Sequence, residues 1–182
     1  MKNNEIMYLS HIKSAIENAY QLPENYTLEE NNIDSKGNPF CMQVDIKGCK
    51  GLAHLACRFD VENDLFPYFQ NKEGYKKMCD YIVFAENAAK VYVFLVELKN
   101  SQESPQRQLV ISKPFAEFLM SRIKKVDNLP HKEIVYRMIG IKQRARASKK
   151  TTKGFINDYL YDSDGYLLLP RNDFMDLCKL ID

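Results

Sequence analysis

"CDYIVFAENAAKVYVFLVELK", residues 79–99, holds two apolar runs separated by a short polar turn. Asp80 stands before the first run, and Glu97 and Lys99 close the second. Side chains of an extended strand alternate between its faces. Val91, Val93, Leu95, Glu97 and Lys99 therefore share one face, and Tyr92, Phe94, Val96 and Leu98 share the other. Both faces stay apolar until the end, which marks a strand in the middle of a sheet. With Ala88 and Ala89 as the two turn residues, Asp80 falls directly opposite Glu97. An even slip of register leaves the two acids on one face. Ala-Ala is not a favoured pair for a two-residue hairpin, so the turn type leaves the register open.

Two carboxylates facing each other across a sheet repel. The cost grows toward the core unless a positive charge lies between them. Lys99 is one source, about 7 Å from Glu97 along the strand. A divalent metal is a stronger one. Mg²⁺ (or Mn²⁺) takes hard oxygen ligands and keeps several waters, so two carboxylates are a common protein contribution. Such a metal makes its bound water a better nucleophile and screens the charge of a phosphodiester. A lysine beside it can orient that water or stabilise the developing negative charge. The plain alternative is a charged strand end, with Asp80 a turn residue.

The 182 residues suffice for one compact domain. The longest apolar run, 91–96, is far too short to span a membrane, and the charged N-terminal stretch lacks the apolar core of a signal peptide. Five cysteines without a CxxC pair argue against a disulfide framework and a thiolate zinc site. The expectation is a reduced, cytoplasmic protein with no membrane partner. Net charge is only +2, but it is unevenly spread. Residues 1–100 carry −3, residues 101–153 carry +9 and residues 154–182 carry −4. A basic block between two acidic ones points to a polyanionic partner. Its densest part, 142–153, contains Lys142, Arg144, Arg146, Lys149, Lys150 and Lys153 without apolar periodicity. These are candidate nucleic-acid phosphate contacts; a solvated loop is the alternative.

Around the hairpin, "NEIMYLSHIKSAIENAYQL" has Ile6, Leu9, Ile12 and Ile16 at helical spacing. "NNIDSKGNPF" reads as a turn-rich connection, 40–46 as a strand, and 52–61 as a strand or a short helix. Ser104 and Pro105 suit the start of a helix. Over 104–124, Leu109, Ser112, Phe115, Phe118/Leu119 and Ile123 fall on one face, and Pro114 is expected to kink the helix or divide it. Residues 133–141 read as a strong strand, "YDSDGYLLLP" as a turn and strand, and "RNDFMDLCKLI" as a terminal helix. The fold class is α/β, a central mixed β-sheet flanked by helices, in a single domain over 1–182.

An aspartate on one strand, sixteen residues, then Glu-x-Lys on the next resembles the PD-(D/E)xK nuclease superfamily, with its restriction-endonuclease-like fold. The matching residues are Asp80, Glu97 and Lys99, and the likeness is closest over 76–119. The family core, αβββαβ, has the order read here. The resemblance implies a metal-dependent nuclease that hydrolyses phosphodiester bonds of nucleic acid, DNA above RNA. Asp80, Glu97 and the Leu98 carbonyl would hold Mg²⁺ or Mn²⁺, and Lys99 would assist the nucleophile. Members often carry a glutamine early in the helix after the ExK strand, where Gln106 and Gln108 stand here. Gln108 is taken as the site residue. Some use an acid on the first helix, for which Glu17 is the candidate, and Asp60 and Glu62 are further acids before the hairpin. Cys79 replaces the proline that commonly precedes the aspartate. Nucleases of this size often form homodimers. A non-catalytic nucleic-acid-binding or regulatory module on the same fold is the alternative.

Neutralising Arg144, Arg146, Lys149 and Lys150 together is expected to flatten the salt dependence of nucleic-acid binding, by roughly one unit of log–log slope per lost phosphate contact. An unchanged slope in a titration across salt concentrations would identify them as solvated charges.

Overall fold

The computed structural model describes residues 8–23, 26–33, 37, 39–48, 50–60, 66–99, 104–142, 161–170 and 174–181. Its first three strands are β1 (Thr27–Ile33), β2 (Pro39–Lys47) and β3 (Ala53–Cys57). The central hairpin follows as β4 (Tyr81–Glu86) and β5 (Lys90–Lys99), with Tyr81 opposite Val96. This is the register that Ala88 and Ala89 as turn residues imply. Asn87 supplies what Ala88-Ala89 lacks. Its Oδ1 accepts the N–H groups of Ala89 and Lys90 at 2.9 and 2.8 Å, closing the turn from its own side chain.

A five-stranded sheet has the order β3-β4-β5, then β6 (Glu133–Lys142) and β7 (Tyr166–Pro170). The pairings β3/β4 and β4/β5 are antiparallel, and β5/β6 and β6/β7 are parallel. The parallel step from β5 to β6 requires a crossover, which α2 (Gln106–Val126) provides. The central strand is buried from Val91 through Leu98.

One face of this sheet, bearing Ile82, Phe84, Val93, Leu95 and Met138, packs against α1 (Tyr8–Ala15) and α2. The opposite face, bearing Tyr81, Val83, Tyr92, Phe94 and Ile139, packs on a three-stranded sheet. That sheet has the order β1-β2-β8, where β8 is Phe174–Asp176, and the short α3 (Leu177–Leu180) adds to the same core. The α/β class with mixed sheets therefore holds, but helices flank one face and a second sheet occupies much of the other. The reason lies in β2: Met42 and Val44 form an apolar face that must find a partner layer. The segment 27–33 is nearly all polar apart from Leu28 and Ile33, so it carries no strand periodicity. Pairing with β2 makes it a strand. The terminal segment likewise divides into β8 and α3.

The helix α2 is unbroken through Pro114, not divided there. Its buried residues are Leu109, Ser112, Ala116, Met120 and Ile123, while Phe118 is 62% exposed. Leu109, Ser112 and Ile123 are thus buried as predicted, Phe115 and Leu119 pack partly buried against the core, and only Phe118 departs from the predicted face. The helix starts at Gln106 with Pro105 at its N-cap, one residue later than predicted, and Ser104 Oγ accepts the Gln106 N–H at 3.3 Å from just before it. Glu86 fastens α1: its two oxygens accept the Tyr8 and Leu9 N–H groups, each at 3.0 Å, and Lys132 pairs with it at 2.7 Å. A carboxylate there complements the helix N-terminus. Among the described residues, no helix is long and apolar enough to cross a membrane.

Gly140 lies beside Glu97 in the β5/β6 pairing, where the start of α2 closes over the sheet. A Cβ at Gly140 would stand 2.4 Å from Pro105 Cγ and 3.1 Å from the Tyr166 hydroxyl. Gly140→Ala is expected to cost about 1–3 kcal/mol in urea unfolding. Adding Pro105→Ala should recover part of that loss, a coupling that a double-mutant cycle measures.

Candidate active site at the end of the central hairpin

The antiparallel ladder of β4 and β5 ends at Tyr81 and Val96, and two carboxylates continue it. The Asp80 N–H donates to Glu97 Oε2 at 3.2 Å. The Leu98 N–H donates to Asp80 Oδ2 at 2.7 Å. Each acid thus accepts a backbone proton from the strand opposite, and the two side chains are held at one end of the hairpin. Lys99 Nζ lies 2.6 Å from Glu97 Oε1. The Glu97 side chain is fully enclosed, whereas that of Lys99 is 19% exposed and lies between Glu97 and solvent. The three residues singled out from the sequence are therefore brought together.

The α2 helix positions this end from one side. The Gln108 amide nitrogen donates to the Met78 carbonyl. Ser112 Oγ accepts the Cys79 N–H at 2.7 Å and donates to the Gln108 carbonyl at 2.8 Å. The residues leading into Asp80 are thus tied to the first turns of α2. In this structure Gln108 touches backbone next to the acids, so its contact is a positioning one. From the other side, the buried Tyr81 hydroxyl donates to the Glu29 carbonyl at 2.7 Å and accepts the Glu29 N–H at 2.9 Å. This clamp sets β1 against the hairpin, and the charge of the adjacent Glu30 acts on both Asp80 and Lys99.

The electrostatics follow from burial. Desolvation, then the charge of Asp80, hold the Glu97 carboxyl above the ordinary carboxylate range, against the opposing effect of Lys99. Desolvation also raises Asp80. The Leu98 N–H and Lys99 oppose that rise, and Glu30 and Asp60 add to it. For Lys99, burial works against the ammonium, but contact with Glu97 and the charges of Glu97, Asp80 and Glu30 outweigh it and raise its pKa.

The other candidates are more scattered. Lys142 neighbours Lys99 in the β5/β6 pairing. Arg144, Arg146, Lys149, Lys150 and Lys153 lie outside the described residues, as does Glu62. Asp60 is exposed, yet its charge reaches Asp80. Glu17 is exposed at the start of a 3₁₀ turn, Asn18–Tyr20. Gln106 is partly buried at the start of α2. Glu30, Tyr81 and Gly140 were not singled out from the sequence, and Ser112 was read there only as part of an apolar helix face. Ser112 had a signal, being a small hydroxyl among apolar neighbours. Glu30, in an unpatterned polar run, had none. Among the described residues, no group of three or more His, Cys, Asp or Glu side chains has metal-ligand geometry. No family model, curated protein or solved structure matches this chain.

Because both carboxyls bind protons more tightly folded than unfolded, their contribution to stability is full below the unfolded carboxylate range, near pH 4. It is lost as pH rises through the raised folded values. Urea unfolding across pH is therefore expected to show wild type losing stability relative to Glu97→Gln as pH rises from about 4 toward neutrality. Parallel curves would mean that the pair carries no such penalty.

Proposed function

We propose that this chain is a metal-dependent nuclease of the PD-(D/E)xK type, hydrolysing phosphodiester bonds of nucleic acid, DNA first among its substrates. The observation that carries this reading is the convergence of Asp80, Glu97 and Lys99 at the end of the central hairpin, with both acids held above their ordinary pKa. Supporting it, β3, β4, β5, α2 and β6 follow one another in the chain, with β1 and β2 between α1 and β3. Ligands of open α/β sheets also commonly sit beyond the carboxyl ends of parallel strands, which is where Glu97 and Lys99 of β5 and Lys142 of β6 lie.

The donor set fits Mg²⁺ or Mn²⁺. Two hard carboxylates share a crowded, poorly hydrated place, and a divalent cation would relieve their mutual repulsion. Asp80, Glu97 and the Leu98 carbonyl would hold it. When bound, it would supply Lewis-acid activation of water and screen the scissile phosphate. Lys99 would release Glu97, orient the attacking water and stabilise the charge that develops on phosphate. Gln108 and Ser112 would keep Asp80 in register. Lys142 and the basic segment that follows it would hold the flanking phosphates.

The enclosure of Glu97 under Lys99 favours a second reading, a non-catalytic nucleic-acid-binding module in which the charges form a structural cluster. Melts of Asp80→Ala, Glu97→Ala and Lys99→Ala with and without Mg²⁺ separate the two. For the nuclease, either acid variant should equal or exceed wild type in metal-free stability and lose the stabilisation by Mg²⁺. Lys99→Ala should retain some metal binding but lose most cleavage of plasmid or single-stranded substrates. Destabilisation by all three irrespective of metal, with no cleavage by wild type, would overturn the nuclease.

A further inference from the structure

A groove of about 540 Å³ opens between the 66–77 segment and the first half of α2, a volume typical of small-ligand sites. Phe66 and Phe115 meet edge to face at its base, with ring centroids 5.7 Å apart. Around the opening, Tyr68 is 73% exposed and Tyr75 51%, and Phe118 stands across from them on α2. Aromatic rings clustered in solvent mark an interaction surface. The charges around it are mainly positive. Lys77 and Arg107 line the groove, and Lys72 Nζ sits 5.5 Å over the Tyr75 ring, against one lining acid among the described residues, Glu73.

The groove is joined to the acidic pair. Lys77 and Arg107 immediately precede Met78 and Gln108, which are bonded to each other. Only Met78 and Cys79 separate Lys77 from Asp80, a span of at most about 11 Å of chain. A strand held by phosphate at Lys77 and Arg107 therefore runs toward the carboxylates. Exposed π-faces beside cations suit an unpaired base, since every base has a face to stack. In a duplex those faces are covered by neighbouring bases.

We infer that this groove binds an unpaired nucleobase of single-stranded nucleic acid, stacked on Tyr68, Tyr75 or Phe118, with its flanking phosphates at Lys77 and Arg107. The choice of ligand rests on the nuclease reading above, and it narrows the substrate to single strands or single-stranded regions. The charge around the groove favours this polyanion over an apolar peptide or a second copy of the chain.

The test is fluorescence anisotropy with the full chain in EDTA, using short labelled oligothymidylate and oligouridylate, an abasic strand of equal length, and a duplex. Tyr68→Ala, Tyr75→Ala and Phe118→Ala remove exposed rings, and melts confirm that each variant is folded. At least one ring removal is expected to weaken single-strand binding about tenfold, Tyr75→Phe to stay within about twofold of wild type, and the abasic strand and duplex to bind more weakly. Preference for either oligothymidylate or oligouridylate supports the inference, and oligodeoxyuridylate then separates the effect of the sugar from that of the base methyl. Ring-independent binding, equal affinity for the abasic strand, no binding by wild type, or a dimer dissociated by Phe118→Ala in sedimentation would overturn it. Cleavage with Mg²⁺ is scored separately. Ring-dependent binding without cleavage overturns the nuclease and leaves the groove, whereas cleavage with ring-independent binding does the reverse.

Discussion

A carboxylate completely enclosed at the end of a central strand is the constraint around which this end of the molecule is arranged. A buried Glu97 without partners would carry a desolvation cost of several kcal/mol. Lys99, the Asp80 N–H and the closeness of a second acid set its state. The contacts oppose one another: Lys99 and the backbone N–H favour the ionised form, while burial and Asp80 disfavour it. A place so balanced responds strongly to any added cation, because the charge it brings acts where little water screens it.

The surrounding fold holds that balance in place. Glycine at position 140 leaves the sheet low beside Glu97, so Pro105 and the start of α2 can approach. From there Gln108 and Ser112 reach the backbone just before Asp80. On the opposite face Tyr81 grips β1 through both polar groups of Glu29. The two layers covering the central sheet therefore both act on the same strand end. Their positioning contacts are hydroxyl or amide to backbone, which fix position without adding charge, while β1 also brings the charge of Glu30.

Under the proposed function, burial also separates two kinds of recognition across a short distance. The enclosed acids suit a small hard cation, while the aromatic groove on the far side of the Met78–Gln108 contact is open and apolar with a basic border. One polymer can satisfy both, because a nucleic acid presents charge and stacking faces in alternation along its length. Burying Ala116 and Met120 turns Phe118 outward toward Tyr68 and Tyr75, where it contributes to a surface and not to the core.

Sequence alone determined the central hairpin and the face shared by Glu97 and Lys99, while the structure settled the register that brings Asp80 to Glu97. The physical reason is that a strand has a period of two, and apolar faces on both sides leave it one position, inside the sheet. The 104–124 helix and the 133–141 strand were legible for the same reason, since each carries a pattern along its own length. The second sheet, the outward turn of Phe118 on α2 and the influence of Glu30 on the site were decided by tertiary structure. The run 27–33 has almost no apolar period and becomes a strand only beside β2. Glu30 acts on Asp80 only because Tyr81, fifty-one residues away in the chain, holds the neighbouring Glu29. Local pattern reports which face of an element is buried. The charges brought to a buried acid from other layers depend on distances in space, which sequence spacing does not encode.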